Sequence, residues 1–187
     1  MNLPVEAGAI ILVSCGHFDR ERSDCIASDV ESEFGYRVFQ KDCSLEIDDF
    51  YNPARRQYDA NALLHMMTQK APEQALKVLG MVRVDLYIPI LTYIFGQARL
   101  NGRVGVASLY RLRNEHYGLE PDNALLTERF SRVVIHELGH TFGLIHCTHP
   151  VCVMRSSTYV EDLDLKEKHF CPRCRAELLR IRQLGLA

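Results

Sequence analysis

Three histidines and a glutamate between residues 136 and 146 have the types and spacing of a metal-binding site. On a helix, His136 and His140 lie one turn apart on the same face, so both imidazoles can reach one ion about 2 Å from each ring nitrogen. Glu137 lies one residue further round, where its carboxylate can reach a water on that ion and accept its proton. Because zinc lowers the pKa of such a water to about 7, the pattern predicts hydrolytic chemistry.

The third candidate ligand, His146, determines where this helix must end. If the helix continued, His146 would lie roughly 15 Å along the axis from His136 and about 80° around it, too far to share an ion. The chain must therefore leave the helix between His140 and His146. Gly143 is the residue that can adopt the left-handed conformation with which helices commonly end.

Four late cysteines form a second group of candidate ligands: Cys147, Cys152, Cys171 and Cys174. The turn from Cys171 to Cys174 can present two thiolates to one ion, and a second pair of thiolates would complete a tetrahedral structural zinc. Two disulfides or simple buried thiols are the alternatives for the same residues. The CxxC spacing favours zinc, so the sequence predicts two zinc ions per chain, one catalytic and one structural.

The string HExxHxxGxxH at residues 136–146 is similar to the long zinc motif of the metzincin metallopeptidases, and Met154 is a candidate for their Met-turn. A closer resemblance, to the archaemetzincins, is carried by Cys147 directly after His146, then by Cys152, Met154 and the closing Cys171-Pro172-Arg173-Cys174. The resemblance extends over residues 136–174, with shorter echoes at residues 85–89 and 95–98. It implies a zinc-dependent peptidase, acting on peptides or proteins and with a preference for short peptides or N-termini.

Hydrophobic patterning upstream of the motif predicts strands that alternate with helices. Residues 8–14 and 36–39 read as strands around a helix at residues 19–34, which favours a parallel crossover. Further elements are assigned as helices at residues 58–67 and 73–79, the second ended by Gly80, and as a third strand at residues 82–88.

The dipeptide Asn101-Gly102 is a strong hairpin signal and predicts antiparallel arms at residues 92–98 and 104–110. The site helix should begin near Asp122 or Asn123 as its N-cap. Together with the resemblance, this predicts an α/β fold of the metzincin kind. It has a mixed twisted sheet with one antiparallel edge strand, the active-site helix and a small zinc-stabilised C-terminal subdomain. The boundary is placed between residues 1–143 and 144–187.

Composition limits the other classes of function. A net charge of −2 and the absence of a basic cluster disfavour nucleic acid as a partner. The N-terminus lacks a basic segment and the apolar run at residues 9–13 is too short for a membrane span, so we expect a cytoplasmic protein. Such a compartment keeps thiols reduced, and Cys15, Cys25 and Cys43, which have no motif spacing, are interpreted as buried thiols.

The sequence thus predicts a zinc metallopeptidase with His136, His140 and His146 as ligands of the catalytic zinc and Glu137 as general base. The alternative is a weakly active or inactive zinc-stabilised protein that has this fold and binds peptides. The presence of Glu137 favours the enzyme. The sequence assigns no oligomeric state.

Overall fold

A computed structural model describes residues 8–42 and 46–184 of the chain. Its strands are β1 (Ile10–Ser14), β2 (Val38–Asp42), β3 (Tyr51–Asn52), β4 (Gln57–Asp59), β5 (Lys77–Val82), β6 (Leu86–Tyr87), β7 (Gly96–Ala98) and β8 (Val104–Ser108). Its helices are α1 (Arg20–Phe34), α2 (Ala60–Lys70), α3 (Asn123–Thr141), α4 (Val160–Asp164) and α5 (Pro172–Gln183). None of the helices in these residues is long and apolar enough to cross a membrane.

The larger sheet has the strand order β2-β1-β5-β8-β7. Its first four strands are parallel to one another, and β7 is antiparallel to β8, with Gly96 opposite Ala107. The structure therefore confirms three predictions: the hairpin, the β1-α1-β2 crossover, and the mixed sheet with one antiparallel edge strand. A second, small sheet has the order β3-β4-β6 and packs beside the first residues of α2.

Side chains of the central strands point alternately to two hydrophobic cores. Ile10 and Leu12 of β1 lie in the core that contains α1 and α3, whereas Ile11 lies in the core that contains α2. All six residues of β5 are buried because this strand lies in the middle of the sheet with helices on both faces. The sheet is thus a rigid layer that holds α3 on one side.

The structure corrects two element assignments between residues 73 and 88. The predicted helix at residues 73–79 is wrong, since β5 begins at Lys77 and Gly80 lies in the middle of that strand. A short apolar run does not distinguish a buried strand from a helix. Glycine at position 80 leaves room for α2, because a Cβ there would lie 2.6 Å from Sδ of Met67 in that helix. The strand predicted at residues 82–88 is reduced to the last residue of β5 and the short β6.

Capping residues define the ends of the two helices that the sequence located best. Asp19 accepts a hydrogen bond from the N–H of Arg22 at the start of α1, and Gly35 ends that helix with φ of 66°. Asp122 caps α3 as predicted, accepting from the N–H of Leu125 at 2.9 Å.

The chain beyond α3 packs onto the same core as α1 and α3. Phe34 of α1 is fully buried, stacks on Phe142 at 5.0 Å between ring centroids, and meets the edge of Phe170 at 5.3 Å. Met154 and Leu178 are buried in this core as well. Because the core is shared, the division at residue 143 stays a prediction.

Two cysteines outside the motif differ from the predicted buried thiols. Cys15 is buried but disulfide-bonded. Cys25 is an exposed free thiol, because Ile26 and Val30 occupy the buried face of α1 and leave Cys25 on its outer side. Cys43 lies outside the described residues.

Candidate active site and metal centres

Helix α3 presents His136 and His140 on one face, and backbone carbonyls fix both rings. Nδ1 of His136 is 2.8 Å from the carbonyl oxygen of Val153, and Nδ1 of His140 is 2.8 Å from that of Leu144. A carbonyl oxygen can only accept, so each Nδ1 carries the proton and each Nε2 has a free lone pair. The two Nε2 atoms lie 3.1 Å apart, where one ion can bind both.

The chain leaves α3 through a left-handed residue, as the spacing of the ligands requires. Gly143 has φ of 92° and its N–H donates to the carbonyl of His140 at 2.9 Å. The N–H of Leu144 donates to the carbonyl of Gly139 at 3.0 Å, which completes a Schellman motif. The backbone then turns back, and it carries His146 towards the two ligands on the helix.

The β7-β8 hairpin and a buried lysine hold this end of the helix. The N–H of Asn101, at the tip of the hairpin, donates to the carbonyl of His140 at 2.9 Å. Nζ of Lys77 in β5 donates to the carbonyls of Thr141 at 2.9 Å and Gly102 at 3.0 Å. These contacts satisfy carbonyls that the last turn of a helix leaves without partners, and they place a cation at its negative end.

The three imidazoles converge. The ring centroid of His146 lies 5.3 Å from that of His136 and 4.9 Å from that of His140, and one ligand atom of each residue lies within 4.8 Å of the others. Two nitrogens of a tetrahedral zinc site are about 3.3 Å apart for Zn–N bonds of about 2.05 Å. The observed 3.1 Å between the Nε2 atoms of His136 and His140 fits that spacing.

Protonation of these groups also suits a metal site. Burial lowers the pKa of all three histidines, and for His136 the neighbouring His140 lowers it further. The imidazoles are therefore held neutral, which is the form that binds a metal.

Glu137 is buried next to the histidines, and its side chain packs against β7. A Cβ at Gly96 would lie 2.7 Å from Cγ of Glu137 and 2.9 Å from its Oε1, so only glycine leaves room there. Burial raises the pKa of this carboxyl to about 8, although the positive charge of Lys166 lowers it in part. A metal ion beside it would lower the pKa further. The result is a carboxyl group able to exchange a proton near neutral pH.

A cavity of about 570 Å³ opens onto these residues. Two segments line it besides the ligands: the strand wall, residues 91–98, which includes β7, and the loop wall, residues 156–159. Lys166 also lines the cavity. Its size is that of a small-ligand site, so a few residues of an extended chain fit in it.

The four late cysteines form a second group of ligands. One sulfur atom from each lies within 4.8 Å of the others, and the Sγ atoms of Cys147 and Cys171 are 3.7 Å apart. Sulfur atoms around a tetrahedral zinc are about 3.8 Å apart for Zn–S bonds of about 2.3 Å. Burial raises the pKa of Cys171, but hydrogen bonds, first from the backbone of Cys174, outweigh it and lower the pKa to about 7. All four are free thiols, so the disulfide alternative is not formed here.

The two groups are joined by one loop. His146 and Cys147 are consecutive, and the N–H of Cys147 donates to the carbonyl of Met154 at 2.9 Å. Met154 is fully buried under α3, where a Cβ at Gly139 would collide with its Sδ. Cys152 is two residues before Met154, so the segment that orients His136 through Val153 also supplies a ligand of the cysteine group.

All eight residues assigned from the sequence are thus placed in or beside two compact groups. Three contributors to the site were not predicted from the sequence: Gly96, which makes room for Glu137, Gly139, which makes room for Met154, and the buried Lys166. A glycine inside the helical motif was a visible signal for the second. The other two act through contacts between distant segments.

Comparisons with known proteins agree with this arrangement. The profile of Peptidase family M54 matches residues 42–180. The chain is similar to an archaemetzincin of Thermococcus kodakarensis, with 42% identity over 131 residues that cover 70% of each protein. It is also similar to the crystal structure of an archaemetzincin from Methanopyrus kandleri, with a TM-score of 0.83, 34% identity, and coverage of 97% of this chain and 99% of that one. A zinc-dependent peptidase from Methanocorpusculum labreanum gives a TM-score of 0.81 at 28% identity, over 91% of this chain and 100% of that one.

The shared loop predicts that the two metal sites are coupled. Cys174→Ser, although outside the histidine group, is expected to weaken zinc binding by the histidines about 10- to 100-fold, the usual effect of losing a group that orients a ligand. The reason is that an ion bound by the four cysteines would hold the loop that carries His146. Chelator titration of the folded variant measures this affinity. Cys25→Ser, which changes an exposed cysteine outside both groups, is the control. Equal affinities for wild type and Cys174→Ser would mean two independent sites.

Proposed function

The chain belongs to peptidase family M54, the archaemetzincins, and is a zinc metallopeptidase; from that premise we propose that His136, His140 and His146 bind its catalytic zinc and that Glu137 is its general base. One observation carries the assignment: three neutral imidazoles and one buried carboxyl group converge on the same side of a cavity. The oriented Nε2 atoms of His136 and His140 support zinc as the ion, since their spacing fits its radius and geometry.

The side chains of the site have separate roles in the proposed reaction. Zinc, when bound, supplies a polarised peptide carbonyl and a water of lowered pKa. Glu137 accepts the proton of the attacking water, holds it on a carboxyl group whose pKa burial raises, and delivers it to the leaving amine. The carbonyl oxygens of Val153 and Leu144 keep His136 and His140 oriented throughout.

The substrate is a peptide in extended conformation, bound along β7. This strand ends the larger sheet, so the backbone groups on its outer side face away from β8. An extended chain can add to such an edge through main-chain hydrogen bonds. Antiparallel addition is the more stable arrangement. It would bring the peptide past Gly96, directly beside Glu137.

Within this class we propose action on short peptides, with an aminopeptidase-like preference for free N-termini. The limited cavity, about 570 Å³, supports the restriction to short chains. The preference for free N-termini rests on the resemblance to the family. Paired tripeptides with a free or an acetylated N-terminus test it, and equal kcat/KM for the two would remove the preference while leaving the peptidase intact.

We also propose that the four cysteines hold a second, structural zinc. Their number leaves no open position for a substrate or a water, which is typical of structural sites. The 3.7 Å between the Sγ atoms of Cys147 and Cys171 supports one shared ion.

Metal analysis of the protein purified under reducing conditions is expected to give two zinc ions per chain. The reason is that the three histidines and the four cysteines are separate, complete ligand sets. Thiol titration with and without chelator is the companion measurement. One zinc per chain, with Cys147 and Cys152 in a disulfide, would remove the structural site.

The role of Glu137 predicts a variant that binds zinc and does not hydrolyse peptides. Glu137→Gln keeps the shape of the side chain but cannot take up a proton, so kcat should fall about 10²- to 10⁴-fold while the zinc content is unchanged. Kinetics and metal analysis of the same sample measure both. A rate near that of wild type would exclude Glu137 as the base. A wild type without measurable turnover would favour the peptide-binding alternative.

The contact between β7 and the general base predicts a loss of activity from Gly96→Ala. The added methyl group would displace Glu137 from its position, and a misplacement of about 1 Å is expected to lower kcat about 10²-fold with zinc still bound. The same substitution in the Glu137→Gln background is the control, where it should cause little further loss. A full additional loss there would mean that Gly96→Ala disrupts the pairing of β7 with β8 instead.

A further inference from the structure

Lys166 is a buried cation beside the active site that the proposed mechanism does not use. It lies two residues after α4, its exposed fraction is 4%, and it lines the same cavity as His136 and Glu137. Its ammonium donates to the carbonyl oxygens of Arg155 at 2.6 Å and Val153 at 3.3 Å. An ammonium group has three donors, so one N–H is left for a further acceptor.

Lys166 and Lys77 are the two buried lysines in the described residues whose ammonium groups donate to backbone carbonyls and form no ion pair, and of the two only Lys166 lines the cavity. Arg129 pairs with Asp164 at 2.6 Å, and Glu33 pairs with Arg175 at 2.5 Å. Among the residues that the structure describes, no carboxylate forms an ion pair with Lys166, whose hydrogen bonds go to backbone carbonyls. Burial lowers its pKa to about 8, which reflects the cost of a desolvated cation. An anion entering the cavity would relieve that cost.

A side-chain hydrogen bond joins the strand wall to the loop wall of the cavity. Oη of Tyr93, in the strand wall, donates to the carbonyl of Thr158, in the loop wall, at 3.0 Å. Arg111, which is bound by both carboxylate oxygens of Asp85, lies 4.7 Å from the ring centroid of Tyr93 and holds it in place. Lys166 donates to the carbonyl of Arg155, the residue that directly precedes the loop wall, and so helps to fix the start of that wall.

The direction of the substrate follows from the strand. A peptide antiparallel to β7 runs from Ala98 towards Gly96, so the part that follows the scissile bond continues towards Tyr93. Tyr93 is bonded to the loop wall, which limits how far the peptide can extend at that end. A chain that ends there presents a carboxylate inside the cavity.

We propose that Lys166 binds a substrate carboxylate on the leaving side of the scissile bond, and that the protein therefore selects peptides that carry one close to the cleavage site. This rests on the proposed peptidase function and names its substrate class. The carboxylate has two sources: the C-terminus of a peptide that ends within the cavity, or an acidic side chain of the leaving residue. Both offer oxygen acceptors for the free N–H and a charge to balance the cation.

Matched peptides test the proposal in the wild-type protein. The first pair is a tripeptide with a free C-terminus and the same tripeptide as its C-terminal amide. The second pair consists of two such amides, one with glutamate and one with glutamine as the residue directly after the scissile bond. The free acid is expected to have kcat/KM about 10- to 100-fold above the plain amide, as a hydrogen bond to a charged group allows. A preference for the glutamate amide over the glutamine amide identifies the side chain as the source. No discrimination in either pair overturns the proposal.

Two variants separate binding from a purely structural role of Lys166. Lys166→Met keeps the length of the side chain and removes the charge, so it should reduce the ratio of kcat/KM for the free acid to kcat/KM for the plain amide to about one, chiefly through KM of the acid. Lys166→Arg should keep part of the preference. An equal loss on acid and amide, with lowered zinc content, would show that Lys166 only holds the Val153–Arg155 carbonyls. If Lys166→Met does not fold, the acid-to-amide ratio of kcat/KM in wild type and in Lys166→Arg still tests whether Lys166 binds the carboxylate.

A binding measurement distinguishes failure of this proposal from failure of the peptidase function. Calorimetric titration of zinc-loaded Glu137→Gln with L-alanyl-L-alanine and with its C-terminal amide needs no turnover. Suppose that the dipeptide acid binds about 10-fold or more tighter than its amide, and that this difference disappears in the Glu137→Gln/Lys166→Met double variant. This result supports the carboxylate site even if wild type hydrolyses no peptide. Equal binding of the two dipeptides overturns it even in an active enzyme.

Discussion

The geometry of the whole site depends on one constraint: a third histidine, ten residues after the first, must return to the same ion. The return requires α3 to end within one turn of His140, and Gly143 with φ of 92° provides the turn. The ending is not left to local preference alone. The hairpin tip and Lys77 bind the last carbonyls of α3, so the sheet fixes where the helix stops. The edge strand β7, along which we propose that substrate binds, and the helix that carries His136 and His140 are thereby held together.

The loop that follows has to satisfy two groups of ligands at once. It carries His146 into the histidine group and Cys147 into the cysteine group, then returns under α3 so that Val153 accepts from His136 and Met154 fills the space left by Gly139. If both groups bind zinc as proposed, one loop links the structural ion to the catalytic one.

Buried charge is distributed unevenly over the molecule. In the framework, Arg129, Glu33 and Asp85 are paired with oppositely charged side chains. In the cavity, Glu137 and Lys166 are both buried with no such partner in the described residues, and burial moves both pKa values to about 8. Lys77, beside the end of α3, is also buried without a carboxylate partner among the residues that the structure describes, but its ammonium is held by two backbone carbonyls away from the cavity. Glu137 and Lys166 line the cavity, where a substrate can reach them.

Residues close together in sequence carried most of what could be predicted. The ligand spacing, the helix end at Gly143, the caps of α1 and α3 and the hairpin at Asn101-Gly102 follow from local rules of backbone geometry and side-chain chemistry. Only the tertiary structure decided what depends on distant segments. It made residues 77–82 a central strand in place of a helix end, put Gly96 against Glu137 and gave His136 its carbonyl partner. It also left Lys166, within residues 8–42 and 46–184, without a carboxylate partner. The pattern of a single segment does not contain these outcomes, because each is set by which other segment packs against it.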